Sequence, residues 1–303
     1  MVQREAGRTF FAMDPRSDRR LALAFVAPAL VFLIAFNVFP LVYNVALGFT
    51  NVELVGGSSV WRGGANYARV FSDPEFAAAL RRTALFVGAA VAIELALGFA
   101  VALALQRRFR GQDWLLTALL VPMMLSPAVM GLFWNLILNG NYGILNQTLA
   151  ALGLPEPQWT TDGRFKLASI LFVDVWMWTP FMMLIALSAL RSIPQSLYEA
   201  AEIDRASRWT VFRRITLPLA APLLGLAVLL RATDALKQFD LVMAITGPND
   251  STTQTLSTLL YQVVFRDGKV GLGASYACLV LVVVMALATI FVRHLERLQR
   301  RTA

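Results

Sequence analysis

The sequence predicts an all-α, polytopic membrane protein with six transmembrane helices and both termini cytoplasmic. Three observations carry that prediction. Hydrophobic residues make up 57% of the 303 positions and charged residues only 15%, with a mean hydropathy of +0.61. A soluble domain is about 45–50% apolar and about 25% charged, because its surface has to be hydrated. Six apolar stretches are long enough to cross about 30 Å of hydrocarbon, which takes about 20 helical residues. Lys and Arg are also unevenly shared between the connections, which sets orientation. Segments 1–20, 106–113, 191–216 and 293–303 hold 17 of the 27 basic residues, whereas the longer segments 50–82, 139–166 and 247–270 hold only 8. The first set is therefore placed on the cytoplasmic side. A sequence pI near 10 arises from this dispersed charge and predicts no nucleic-acid surface.

The spans are expected near 21–49, 83–105, 114–138, 167–190, 217–246 and 271–292. The first is too long for the apolar core of a cleaved signal and five more follow it, so it is read as a membrane helix. Pro40 is expected to kink it, with Asn44 one turn beyond. The external connections carry turn residues in VGGSSVWRGGANY (55–67), NGNYG (139–143) and TGPNDSTT (246–253). A short interfacial helix is expected around 144–152. The domain plan is a cytoplasmic segment 1–20, a six-helix membrane body 21–292 containing the loop 191–216, and a cytoplasmic tail 293–303. No internal repeat is evident, so the inverted symmetry of many secondary transporters finds no support.

Few residues suit catalysis. Cys278 stands alone in an apolar run and is read as a packing residue, and His294 is the one histidine. Asn146-Gln-Thr148 is a formal glycosylation sequon expected to be unused. The glycines Gly268, Gly271 and Gly273 follow no strand, so they form no nucleotide loop.

One stretch is out of character. YEAAEIDRASRWTVFRRITLPLAAP begins at Tyr198 and places Glu199, Glu202, Asp204, Arg205, Arg208, Arg213 and Arg214 between two apolar runs. It reads as two short helices. Ser192 is the expected N-cap of the first, with Pro194 in its first turn and Gln195 completing a capping box. The break is expected at Asp204-Arg205. Ser207 then caps a second helix whose Trp209, Phe212 and Ile215 share one side. Three uses fit these residues: a solvated hairpin, an amphipathic helix on lipid, or a surface that seats in another protein's groove.

The same stretch resembles the EAA motif of binding-protein-dependent ABC importer permeases, E-A-A-x-x-D-G-A followed by F-x-x-I-x-L-P. Glu199, Ala200, Ala201, Asp204, Ala206, Phe212, Ile215, Leu217 and Pro218 match it in spacing. Arg205 replaces the usual glycine, a residue that eases a left-handed turn. Segments 27–51, 63–86 and 239–265 resemble the maltose and glycerol-3-phosphate type of sugar permease, although the usual glycine run before the proline of the last is reduced to Gly247. The resemblance implies a coupling role for Glu199, Ala200, Ala201, Asp204, Arg205, Ala206 and Phe212. It also implies a second, different permease, two copies of a cytoplasmic ATPase that use ATP and magnesium, and a substrate-binding protein, all at the bacterial inner membrane. This chain itself would bind no cofactor and catalyse nothing.

Ionisable residues inside spans are costly and face the bundle interior or a watery path. Glu94 and Asp174 lie in the second and fourth expected spans, and Arg231, Asp234, Lys237 and Asp240 crowd the fifth. Arg231 and Asp234 are spaced to pair on one helix face. Either internal salt bridges or a substrate path would explain the group. With Asp174 and Asp234, the path candidates are Asn135, Trp176, Trp178, Gln238 and Tyr276, which offer stacking and hydrogen bonds to a sugar. An ion-coupled transporter using Glu94, Asp174 and Asp234 is the alternative reading.

Overall fold

A computed structural model describes residues 15–56 and 59–302, with side chains described over 23–56 and 59–293. The first fourteen residues of the expected N-terminal segment, and the side chains of the tail beyond Arg293 with His294 among them, lie outside that description. The described elements are helices, as expected. The first crossing comprises α1 (Pro15–Leu33) and α2 (Phe39–Leu47) around a π-helical turn, Ile34–Val38. Pro40 has no N–H to offer, and the turn ahead of it widens so that Phe39 donates to Ile34 O, five residues back. Asn44 Nδ2 ties α2 to the last helix by donating to Ala274 O and Cys278 Sγ, both at 3.4 Å.

After α3 (Ala65–Phe71) comes α4 (Pro74–Ala104). It begins well before the expected span at 83 because Asp73 and Pro74 are a start signal. The Asp73 carboxylate accepts from Glu75 N at 2.8 Å, and proline sits where a missing N–H costs nothing. The expected third span, 114–138, is broken. It divides into α5 (Gln112–Leu120) and α6 (Pro127–Ile137), joined by a 3-10 turn at Pro122–Met124. Two prolines five residues apart each remove a helical N–H, and neither half can extend through the other. The short helix expected near 144–152 is α7 (Ile144–Ala151).

Next comes the long helix α8 (Gly163–Arg191), capped by Asp162 through Arg164 N at 3.0 Å. Then follow α9 (Gln195–Ile203), α10 (Arg208–Val211), a second π-helical turn at Phe212–Thr216, and α11 (Leu217–Ala235). As before Pro40, the widened turn accommodates a proline: Leu217 donates to Phe212 O immediately ahead of Pro218. The expected fifth span to 246 ends instead at Ala235. The chain leaves the helix over 236–239 and re-forms as α12 (Asp240–Ile245), which packs on α6. Last come α13 (Leu256–Tyr261) and α14 (Val270–Thr302).

Five helical segments are long and apolar enough to cross a membrane: Leu23–Leu47, Pro74–Ala104, Gly163–Arg191, Arg208–Ala235 and Val270–Arg293. The centre of the fold is the packing of α4 on α8, with α11 against both. Phe86, Ala90, Ile170, Val173, Met177 and Ala227 are buried there. Gly98 permits the close approach, since a Cβ at that position would meet Met182 Cβ at 2.7 Å. A separate cluster joins α3, α4, α13 and α14 through Val70, Phe76, Leu256, Leu259 and Tyr276. On the connection after α12, Lys166 pairs with Asp250. Partial burial would raise the Asp250 carboxyl, but hydrogen bonds from Lys166 and Thr252 outweigh it and hold the group below the usual carboxylate range.

Candidate functional site

The α9–α10 segment is built from helix-end chemistry. Ser192 does not cap α9. It closes α8 instead, donating its hydroxyl to Ala189 O at 2.8 Å, because the last carbonyls of a 29-residue helix are the nearer unsatisfied partners. The cap position of α9 falls to Pro194, which makes no side-chain cap. At its other end α9 terminates in a two-bond closure, Arg205 N to Glu202 O at 3.0 Å and Ala206 N to Ala201 O at 2.9 Å. That pair of bonds needs a left-handed residue between helix and exit. Arg205 supplies it with φ +50°, the one non-glycine positive φ among the described residues. The break therefore falls where the sequence placed it, and Arg205 adopts the strained conformation at a cost of about 1 kcal/mol relative to glycine. Ser207 then caps α10, accepting from Thr210 N at 3.2 Å as expected.

Two contacts fasten this segment to the membrane helices. Tyr198 Oη lies 3.2 Å from Thr216 Oγ1, and Phe212 lies between Trp209 at 5.6 Å and Phe99 of α4 at 6.1 Å, ring centre to ring centre. Because α10 continues through the π-helical turn into α11, a push on the segment is a push on a 28-residue rod, Arg208–Ala235. Glu199, Ala200, Asp204 and Arg205 are exposed, and Ala206 and Phe212 are half-buried. Ala201, also given a coupling role by the resemblance, is only 8% exposed and turns toward the body of the protein.

The intramembrane charges converge on Arg231 of α11. Its Nη2 donates to Glu94 Oε1 of α4 at 3.0 Å and pairs with Asp174 of α8. Its Nε lies 2.9 Å from Glu94 Oε2, off the hydrogen-bonding direction. Gln238 Nε2 donates to the other Asp174 oxygen at 2.7 Å, and the guanidinium carbon lies 4.9 Å from the ring centre of Trp178. Glu94, Asp174 and Arg231 are essentially excluded from solvent. Asp234 is different: its carboxylate sits 3.4 Å from Arg231 Nη1 with the side chain 53% exposed. Lys237 and Asp240 are exposed and stand apart from this group.

The path candidates thus separate. Asp174, Trp178, Asp234 and Gln238 meet around Arg231. Asn135 donates its amide to Ala244 O at 3.2 Å and Ile245 O at 2.7 Å, fixing α12 on α6. Tyr276 lies in the other cluster, donating to the Asp73 carboxylate beside Phe76. Trp176 packs edge-on against Trp134 at 5.4 Å and lines an apolar cavity of about 720 Å³ between α4, α5 and α8. Phe172, Pro122 and Leu97 also line it, and the sequence offered no cue to the cavity because its walls come from remote segments.

The chain is similar to known transport proteins along most of its length. It is 33% identical over 294 residues to a probable ABC transporter permease protein, y4oQ, of Sinorhizobium fredii, covering 94% of both chains. It is 32% identical over 276 residues to the trehalose/maltose transport system permease protein MalF of Thermococcus litoralis, covering 91% of this chain and 94% of that one. Its fold superposes with a TM-score of 0.82 on a chain from a bacterial ABC transporter involved in the import of alginate, at 20% identity and with 93% and 96% of the two chains covered. These similarities leave the ion-coupled alternative without support. Residues 94–301, which carry the α9–α10 segment and the whole charge cluster, match the model described as the binding-protein-dependent transport system inner membrane component, and the chain belongs to that family.

Proposed function

We propose that this chain is one of two membrane subunits of an ATP-driven importer for a sugar, polyol or sugar derivative. A binding protein delivers the substrate from outside, and two copies of a separate ATPase subunit hydrolyse ATP with magnesium. The chain binds no cofactor and carries no catalytic centre of its own. One observation carries the reading: an exposed helix bearing Glu199 and Ala200 is tied by Tyr198 to Thr216, near the head of the rod that holds Arg231. Motion at α9 then reaches the charge cluster through the Tyr198–Thr216 contact and the rod. The sugar class is supported by the trehalose/maltose relative and by the resemblance of segments 27–51, 63–86 and 239–265. In this arrangement residues 191–216 and both termini are cytoplasmic, and α5 and α6 together make a sixth, interrupted crossing. Asp234, Gln238 and Trp178 border the substrate path.

The test is uptake by vesicles containing the chain with its companion permease and ATPase. Uptake is expected to require ATP inside and loaded binding protein outside, and to persist when ion gradients are collapsed. Uptake that follows a proton or sodium gradient without ATP overturns the proposal. Orientation is checked by thiol labelling in a Cys278→Ser background, which keeps an acceptor for Asn44. A cysteine at Thr161, exposed on the 139–166 connection, is expected to react with an impermeant reagent in sealed cells, and one at Ser207 is not. The reverse pattern inverts the topology.

A further inference from the structure

Arg205 poses a problem that α9 does not solve by itself. The two-bond closure demands a left-handed residue, and glycine meets that demand without strain. Arginine in its place keeps the closure but adds a cost and a charge. The described residues offer no compensation. Arg205 is exposed, and among the described residues no carboxylate lies within ion-pairing distance of its guanidinium. Near it in sequence, Ile203 and Trp209 are also exposed, at 82% and 67%. Persistent strain at one exposed residue, beside uncovered hydrophobic side chains, marks a contact made outside the chain.

We propose that Arg205 is a partner-selecting residue: on the docked ATPase its guanidinium pairs with a carboxylate at the rim of the groove that receives α9. The proposal rests on the coupling reading of α9. The charge favours an acidic partner, and the adjoining Ile203 and Trp209 supply the apolar contact that excludes water and makes such a pair stronger than an exposed one. An ATPase whose groove lacks the acid would dock less well on this permease than on one carrying glycine.

The experiment uses the full complex in nanodiscs of neutral lipid, comparing Arg205→Gly, Arg205→Lys and Arg205→Glu. Arg205→Gly is expected to leave the melting temperature of the permease unchanged or raised, yet to weaken ATPase association about tenfold, the size of one charge-assisted hydrogen bond. Arg205→Lys retains part of the affinity and Arg205→Glu weakens it further. The difference between parent and Arg205→Gly shrinks as salt rises. ATPase association equal to the parent in Arg205→Gly overturns the proposal. So does a loss of association that appears only when anionic lipid replaces the neutral lipid of the nanodiscs, which assigns the residue to lipid headgroups. Ala200→Trp separates the two readings. If it abolishes association while Arg205→Gly does not, the partner-selecting role alone fails. If neither variant affects association, docking through α9 fails as well.

Discussion

Arg231→Met is expected to lose most of the permease's stability in detergent, by about 3–5 kcal/mol, the cost of removing one member of a buried ion group. The guanidinium is the sole cation among the described groups in contact with Glu94 and Asp174, and both carboxylates are closed to solvent. Without it, two neighbouring negative charges are left in an apolar interior with only Gln238 to donate to one of them. Adding Glu94→Gln and Asp174→Asn to the Arg231→Met chain removes those charges, and much of the lost stability is expected to return. Asp234→Asn is the contrasting variant. Its carboxylate is half-exposed at 3.4 Å, so its removal is expected to cost no more than about 1 kcal/mol, and any fall in uptake then reports on the path. Thermal melting of the three variants decides the matter. A parent-like melt for Arg231→Met would mean that the cluster does not hold α4, α8 and α11 together.

Ala200→Trp and Glu199→Lys are expected to leave the permease inserted and folded while cutting its hold on the ATPase. Both residues are exposed on α9, so neither change disturbs packing inside the chain. A bulky side chain in a close-fitting groove costs about 1–3 kcal/mol, which weakens association by about fivefold to more than a hundredfold. Reconstituted ATP hydrolysis should then no longer respond to the loaded binding protein, and less ATPase should copurify. Ala201→Trp is expected to behave differently. Ala201 is turned into the chain, so overpacking there lowers the melting temperature of the permease itself. If Ala200→Trp and Glu199→Lys both retain full stimulation and copurification, α9 is not where force enters.

Much of this molecule was legible in its sequence because the signals are local. The bilayer forces every spanning backbone group to find its partner within the helix, so a run of apolar residues is enough to announce a crossing. Turn chemistry is local too, and it placed the break at Asp204-Arg205 and the cap at Ser207 where the structure has them. Composition therefore determined the all-helical membrane class, and residue spacing from Glu199 to Pro218 determined the kinship. The misplaced boundaries have local causes of a subtler kind. Hydropathy runs unbroken through Pro122 and Pro127, but hydrogen bonding does not, so the third span divides; the fifth ends at Ala235, just ahead of the polar pair Lys237 and Gln238.

Other outcomes depended on which helix lies beside which. Ser192 had a partner on either side, and its hydroxyl bonds back to α8. Asn135 and Tyr276 carry the same polar groups as residues at a path, yet neighbouring helices engage them in holding α12 and α4. Ala201 and Ala200 are adjacent and chemically identical, and only the packing of α9 turns one inward and leaves the other exposed. The charge cluster shows the division most clearly. From sequence, Glu94, Asp174 and Arg231 were three costly residues on three helices, and that an ionisable group in a span needs a partner followed from solvation alone. Which groups meet, and that Asp234 keeps one face open, follows from the close packing of α4, α8 and α11, because ion pairing falls off within a few ångströms and the separation of helices distant in sequence is set by tertiary contact.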